Sequence, residues 1–371
     1  MKSTWHCLRR SIFYPCLATV LAAASGCTTV PTKEFASYKD TFAQARKAGE
    51  DVLVDYGASV SRVDELNAKQ EAAQVKPKER GALFDPLSGS KQTAAVDDVA
   101  VRMKAWDVVA RYNDLLTGLA EGKAADQLAA AVDGLSSSLT SFPISEVALS
   151  ATQVSGYLAP LKPLALEAVR EQSRRKFVAA VAEGGPLITE KFLAFMKKDA
   201  GKFYQLRQLF NDMEYDPIVD EIGDVRNRFA AVAAKFQPTP DVMTALDNLN
   251  QELALLPREP GGAFPIDPVA LKPVSGSAPP PAPDTVAQLQ GMTTDVKGLV
   301  SRAVAKDAEL DAYREVMTHY VSLLNQLEQS MRALQSAAEQ AQPTIPPASD
   351  LERTVILLRE AYMKYKDIGK E

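Results

Sequence analysis

Apolar residues return every three or four positions along most of this chain, the period of a helix that buries one face. Phe35, Tyr38, Phe42, Ala45, Gly49, Val52, Tyr56, Ser59, Val63 and Leu66 form the first such stripe, inside a proline-free window from 32 to 76. Its alternation of three and four is that of a coiled-coil seam. Gly49 and Ser59 are its expected weak points, because small side chains leave gaps and glycine costs about 1 kcal/mol of helix propensity. Val96, Val99, Met103, Trp106, Val109, Tyr112, Leu116 and Leu119 make a broader face, which requires burial on more than one side. Leu128, Val132, Leu135 and Leu139 then predict a short helix bounded by Gly122 and Pro143.

Proline lacks the N–H and crowds the preceding turn, so it marks where helices stop. Between 144 and 256 it predicts medium helices broken at Pro160, Pro163, Pro186, Pro217, Pro238 and Pro240. One of them carries an aromatic stripe of Phe192, Phe195, Phe203, Leu206, Phe210 and Met213, the pattern of a core. Residues 77 to 92 are rich in Pro, Gly and Ser and predict a loop. Residues 257 to 283 hold nine prolines and predict a semi-extended linker or long loop.

Beyond it, Leu310, Tyr313, Met317, Tyr320, Leu324, Leu327, Met331, Leu334 and Ala338 keep the best heptad spacing in the chain. After a turn at Pro343, Pro346 and Pro347 the spacing resumes in Leu351, Val355, Leu358, Tyr362 and Tyr365, with Ser349 or Asp350 as N-cap. Two helices joined so closely should fold back antiparallel, and the helix over 33–75 is the natural cover for their seam. No period-2 run rich in Val, Ile and Thr appears. The expectation is an all-α, elongated helical bundle with long coiled-coil-like helices. Its divisions are a leader over 1–26, an N-terminal helical region over 27–256, the Pro-rich linker over 257–283 and a C-terminal hairpin over 284–371.

The first residues add a location. Lys2, Arg9 and Arg10 precede an apolar run, and no acidic residue occurs before Glu34, the pattern of a secretory signal. The apolar part covers about half of the roughly 20 residues that a membrane helix needs, and Pro15 interrupts it, which opposes retention as a transmembrane segment. Ala24-Ser25-Gly26-Cys27 resembles the lipobox of bacterial lipoproteins, with Ala24 where that family more often has Leu. The resemblance implies cleavage before Cys27 and a diacylglycerol, usually with an N-acyl chain such as palmitate, on that cysteine. Thr28, in place of the Asp that signals inner-membrane retention, implies the outer membrane of a Gram-negative cell, facing the periplasm. Several acyl chains, at about 0.8 kcal/mol per buried CH₂, hold a protein far more firmly than one. Ordinary cleavage with Cys27 left free is the competing reading.

Cleavage would leave Cys27, His319 and Trp106 as the sole cysteine, histidine and tryptophan, so stability must come from packing rather than disulfides. Loss of Lys2, Arg9 and Arg10 from 42 Lys and Arg leaves 39 against 47 Asp and Glu, a balance of −8. That opposes nucleic acid, and anionic headgroups, as main partners.

Candidate chemistry is sparse. A zinc or iron site needs converging ligands, and His319 stands between seam positions with Glu315 one turn back, a surface pair. Asp212, Glu214, Asp216, Asp220, Glu221 and Asp224 alternate partly as calcium ligands do. The comparison with an EF-hand fails at Pro217 and Gly223, leaving a solvated helix end. Ser173-Arg-Arg-Lys176 has the bare Ser-x-x-Lys spacing of penicillin-binding proteins without the accompanying elements. No catalytic, cofactor or metal residue emerges; the one site residue is Cys27, for lipidation. The leading expectation is a non-enzymatic, lipid-anchored scaffold or adaptor of the cell envelope, with an envelope protein or a second copy as partner. The alternatives are a binder of a lipid or other apolar small molecule between helices, lined by the aromatic stripe, and a carboxylate-based cell-wall hydrolase.

Overall fold

The structure, a computed structural model, describes residues 32–72, 93–147, 149–168, 171–257, 265–267, 279–339 and 348–369. Within them the chain is all-α: α1 Thr32–Ala72, α2 Thr93–Glu121, α3 Ala125–Ser141, α4 Ala151–Leu158, α5 Leu161–Glu167, α6 Glu171–Glu183, α7 Ala194–Ala233, α8 Pro240–Leu253, α9 Pro283–Glu339 and α10 Ala348–Ile368. A 3₁₀ turn at Ile144–Val147 precedes α4, and a π-helical segment at Leu187–Leu193 leads into α7.

Paired side chains give the directions. Tyr38 on α1 bonds Asn113 at 2.7 Å and Arg46 bonds Asp107 at 2.6 Å, so α1 and α2 are antiparallel. Lys197 with Glu328 and Arg207 with Glu309 make α7 antiparallel to α9. Lys364 with Glu315, 2.8 Å apart, and the Tyr313 and Tyr365 rings, tilted against each other at 5.1 Å, do the same for α9 and α10. Arg359 with Gln44 and Tyr365 with Asp55 lay α10 along α1 in the same sense. Thus α1, α7 and α10 run one way, α2 and α9 the other.

Two apolar cores result. The first gathers side chains from Phe35 to Met213 and from Ala312 to Tyr365. The second gathers Tyr215 to Leu253, Ile266 and Leu289 to Ala303. Among the described helices only α7 and α9 cross both. At 57 residues α9 extends roughly 85 Å at 1.5 Å per residue. Arg62 on α1 still lies over Phe210 on α7, so the second core stands beyond that point, at the end opposite the start of α1.

Several local expectations are corrected. Pro217 does not end a helix: α7 continues through it to Ala233. The lost bond and ring crowding cost about 3 kcal/mol. Met213, Tyr215, Ile218 and Val219 are all buried around it, at roughly 1.5–3 kcal/mol for each large apolar side chain, so packing outweighs the defect. Pro163 sits in the first turn of α5, where the N–H has no intrahelical partner to lose. Ser349 and Asp350 lie inside the first turn of α10, which begins at Ala348; Asp350 there faces the positive end of the helix rather than capping it. The gap at Gly49 is filled. The Trp106 indole lies so close that a Cβ on Gly49 would sit 2.3 Å from its Cζ2. Ser59 satisfies its hydroxyl on the Asp55 carbonyl at 3.0 Å. The predicted loop 77–92, the turn prolines Pro343, Pro346 and Pro347, and most of 257–283 lie outside the described residues.

Candidate functional site

Charged side chains occupy positions in register with the apolar stripes, and these organise the interior. Arg102 follows Val99 and precedes Trp106 on the buried face of α2. It meets Asp199 of α7 at 2.8 Å, with side-chain exposures of 3% and 1%. The guanidinium lies over the rings of Tyr56, Phe195 and Phe203, 5.4 to 5.7 Å from their centroids. Lys202 reaches the other Asp199 oxygen at 3.0 Å. Farther along α7, Arg207 pairs with Glu309 of α9 and stacks on Phe210 and Tyr365. Lys306 bridges Glu309 at 3.2 Å and Glu214 at 2.5 Å, and Asn211 donates to the Lys306 carbonyl. Beside them Tyr365 donates to Asp55 at 3.2 Å, and Lys366 pairs with the other Asp55 oxygen. Burial pushes the Tyr313 hydroxyl well above the usual phenol range, and the Asp55 carboxylate adds to this.

These are the carboxylates that sit deepest, and each is matched by a cation. Breaking such a pair costs about 3–5 kcal/mol by leaving a charge uncompensated, which disfavours any helix register that separates the partners. Asp55, Asp199 and Glu309 are also sealed from bulk water, out of reach of a polymeric substrate. Sequence inspection missed them, although a signal existed: Asp55, Arg102, Asp199, Arg207 and Glu309 stand three or four residues from apolar neighbours on one face.

The surface has two concavities of chemical interest. One, about 650 Å³, opens between α3, α4 and α5 and is lined by Val132, Leu139, Phe142, Val154 and Leu158. Lys162 and Asp133 pair at its rim, 2.8 Å apart. Phe142 packs edge-on against Phe192 at 4.8 Å. The aromatic stripe is therefore core: Phe192, Phe203 and Phe210 are almost wholly buried, and none of them lines the groove.

The other, about 400 Å³, lies where α1, α2 and α3 meet and is lined by Lys39, Arg111, Asp114, Gly118, Lys123 and the first half of α3. Its shape depends on the α2–α3 turn. Gly122 takes φ +77°, a conformation that other residues resist, and the turn closes through Lys123 N–H to Gly118 O at 2.9 Å and Gly122 N–H to Leu119 O at 3.1 Å. Arg174 donates to the same Leu119 carbonyl at 2.5 Å. Part of the Ser173–Lys176 motif thus works as a helix terminator. Burial pushes the Asp114 carboxyl up, against the pull of Arg111, Lys123, Lys39 and Arg46.

The remaining residues singled out from the sequence fall apart in space. His319 is half-buried on α9 beside Glu315. The Lys364 hydrogen bond holds the Glu315 carboxyl below its usual range, and His319 adds a smaller pull. The acidic run is the middle of α7 rather than a helix end: Glu214 turns to Lys306, while Asp216, Asp220, Glu221 and Asp224 are exposed. Among the described residues no group of three or more His, Cys, Asp or Glu is placed to hold a metal ion. None of the described helices is long and apolar enough to cross a membrane. Cys27 and the leader lie outside the described residues. No family model matches this chain, and no curated protein or solved structure does either.

Proposed function

We propose that this chain is a lipid-anchored, non-enzymatic scaffold of the cell envelope, held at Cys27 on the periplasmic face of the outer membrane and presenting its second core to a protein partner. The observation that carries the reading is the placement of that core. It stands at the end opposite the start of α1, and α7 and α9 join it to the first core without interruption. Such a shape offers surface at a distance from an N-terminal attachment point. Its exposed residues there include Leu255 and the acidic side chains of α7.

Cross-linking in intact cells tests the reading. A recurrent protein should cross-link to the full chain. It should be lost when Asp220, Glu221 and Asp224 are together replaced by lysine, and retained when Asp133 on α3 is replaced in the same way. Cross-links indifferent to all these changes, or none, would sink the scaffold reading. Replacement of Cys27 by serine should move the chain out of the membrane fraction; continued membrane association would count against the anchor.

The groove between α3, α4 and α5 favours a second reading, a binder of an apolar small molecule. Its volume lies within the range of ligand pockets, and Val132, Leu139, Phe142, Val154 and Leu158 give it apolar surface, with Ser136, Thr140 and Ser155 as polar groups among them. Native mass spectrometry of the non-acylated chain should then show a bound species that Ser155→Trp excludes. A clean apo mass would remove this reading.

A further inference from the structure

We propose that the groove between α1, α2 and α3 is a site for a phosphate-bearing anion, filled in the cell by the headgroup of an acidic phospholipid. The lipid source rests on the anchored reading at Cys27; the phosphate chemistry rests on the groove alone.

Three cations line it, Lys39, Arg111 and Lys123. Two of them, Lys39 and Lys123, share one carboxylate, Glu121. Among the described residues Arg111 forms no ion pair, and the acid nearest to it in the groove wall is Asp114. Three positive groups therefore face two negative ones, on a mature chain whose net charge is −8. The Arg111 stem lies beside α3, with Cδ 3.4 Å from where a Cβ on Gly134 would be. A guanidinium presents paired donors that match two phosphate oxygens, and two ammonium groups nearby add charge without fixing geometry. Gly118, Ala130 and Ala131 contribute no bulk to the floor, which leaves room for the anion.

Location selects the headgroup over a free anion. Lys39 is seven residues into α1, about 10 Å along its axis, and Cys27 is five residues before Thr32, a reach of at most about 18 Å. The groove thus lies within roughly 30 Å of the attachment point. The overall negative charge does not prevent this, because beyond a Debye length of about 8 Å the remote acids are screened and the local cations dominate. Acyl chains would supply affinity for the bilayer, and the groove would orient the bundle on it.

The test uses the chain from residue 27 onward carrying Cys27→Ser, so that no acyl anchor contributes. It should bind vesicles of phosphatidylcholine mixed with phosphatidylglycerol and bind phosphatidylcholine vesicles far less. Arg111→Gln and Lys123→Gln should each weaken that binding about fivefold, the worth of one cation near an anionic surface. Lys47→Gln, on α1 outside the groove, should leave it unchanged, and the melting temperatures of all three variants should match the parent, since these side chains are exposed or half-exposed. Equal binding by parent and Arg111→Gln, or no preference for phosphatidylglycerol, overturns the proposal. Inorganic phosphate, followed by amide shifts at Gly118 and Lys123, separates the sources. Shifts without vesicle binding would overturn the headgroup assignment in favour of a soluble phosphate. Fractionation of the acylated chain from cells keeps the anchor distinct. A chain that is free of membranes in the cell yet binds these vesicles would end the anchored reading and leave the groove's chemistry standing.

Discussion

At the scale of single residues, Gly49 and Trp106 show how a glycine in a helix can be a requirement rather than a defect. The indole occupies the volume of the missing side chain, and both residues are fully enclosed by the first core. Gly49→Ala should therefore destabilise the protein by about 1–3 kcal/mol, since the strain of over-packing exceeds the gain in helix propensity. Gly201 is the contrast: it is exposed in α7, nothing lies within 4 Å of an added Cβ, and Gly201→Ala should stabilise by about 0.5–1 kcal/mol. Urea unfolding of the two variants checks both signs, and a Gly49→Ala chain as stable as the parent would refute the packing argument. The stripe around Gly49 was legible in the sequence. Its occupant was not, because the spacing of α1 carries no information about which side chain of α2 faces it.

At the scale of elements, proline composition proved an uneven guide. It located the start of α8, where Pro240 follows Thr239, and the N-cap of α5 at Pro160. It failed at Pro217, where the two cores hold the helix from both sides. The Pro-rich segment is tied down at least once. Asn250 of α8 accepts from the Ile266 N–H at 2.9 Å and donates to the Ile266 carbonyl at 3.1 Å, much as a neighbouring strand would, while the Ile266 side chain enters the second core. Two bonds of about 1 kcal/mol each are at stake, so Asn250→Ala should cost about 1–3 kcal/mol. Hydrogen exchange should report it locally, with the Ile266 amide losing protection while α8 keeps its own. Unchanged protection at Ile266 would show that its side chain alone holds the segment.

At the scale of the molecule, the first core is rich in tyrosine. Burial pushes the hydroxyls of Tyr38, Tyr112, Tyr157, Tyr313, Tyr320 and Tyr365 above the ordinary phenol range. A group whose folded pKa is raised stabilises the fold fully below its unfolded value and loses that contribution above it. For tyrosine the unfolded value is about 10. Stability should thus hold up to about pH 10 and fall steeply beyond, with all these rings ionising together as the helices melt. An alkaline titration followed by tyrosinate absorbance and far-ultraviolet circular dichroism tests this. Ionisation of most tyrosines near pH 10 with helix content intact would contradict it.

Some features of this protein follow from the order of its residues alone. The helical class, the buried faces of α1, α2, α7, α9 and α10, and the core role of the aromatic stripe all follow from one local rule, that a helix with a three-four apolar pattern buries that face. The lipobox resemblance at Cys27 is likewise a local signal, confined to a few consecutive positions. What lay beyond the sequence is what depends on neighbours distant along the chain. The pairing of Arg102 with Asp199 and of Arg207 with Glu309, and the division of the core between Met213 and Tyr215, are of this kind. So is the meeting of Lys39, Arg111 and Lys123 around one groove. Each charge is visible in the sequence, but whether it is solvated, paired or left facing a cavity is decided by which helix arrives opposite, and only tertiary packing makes that choice.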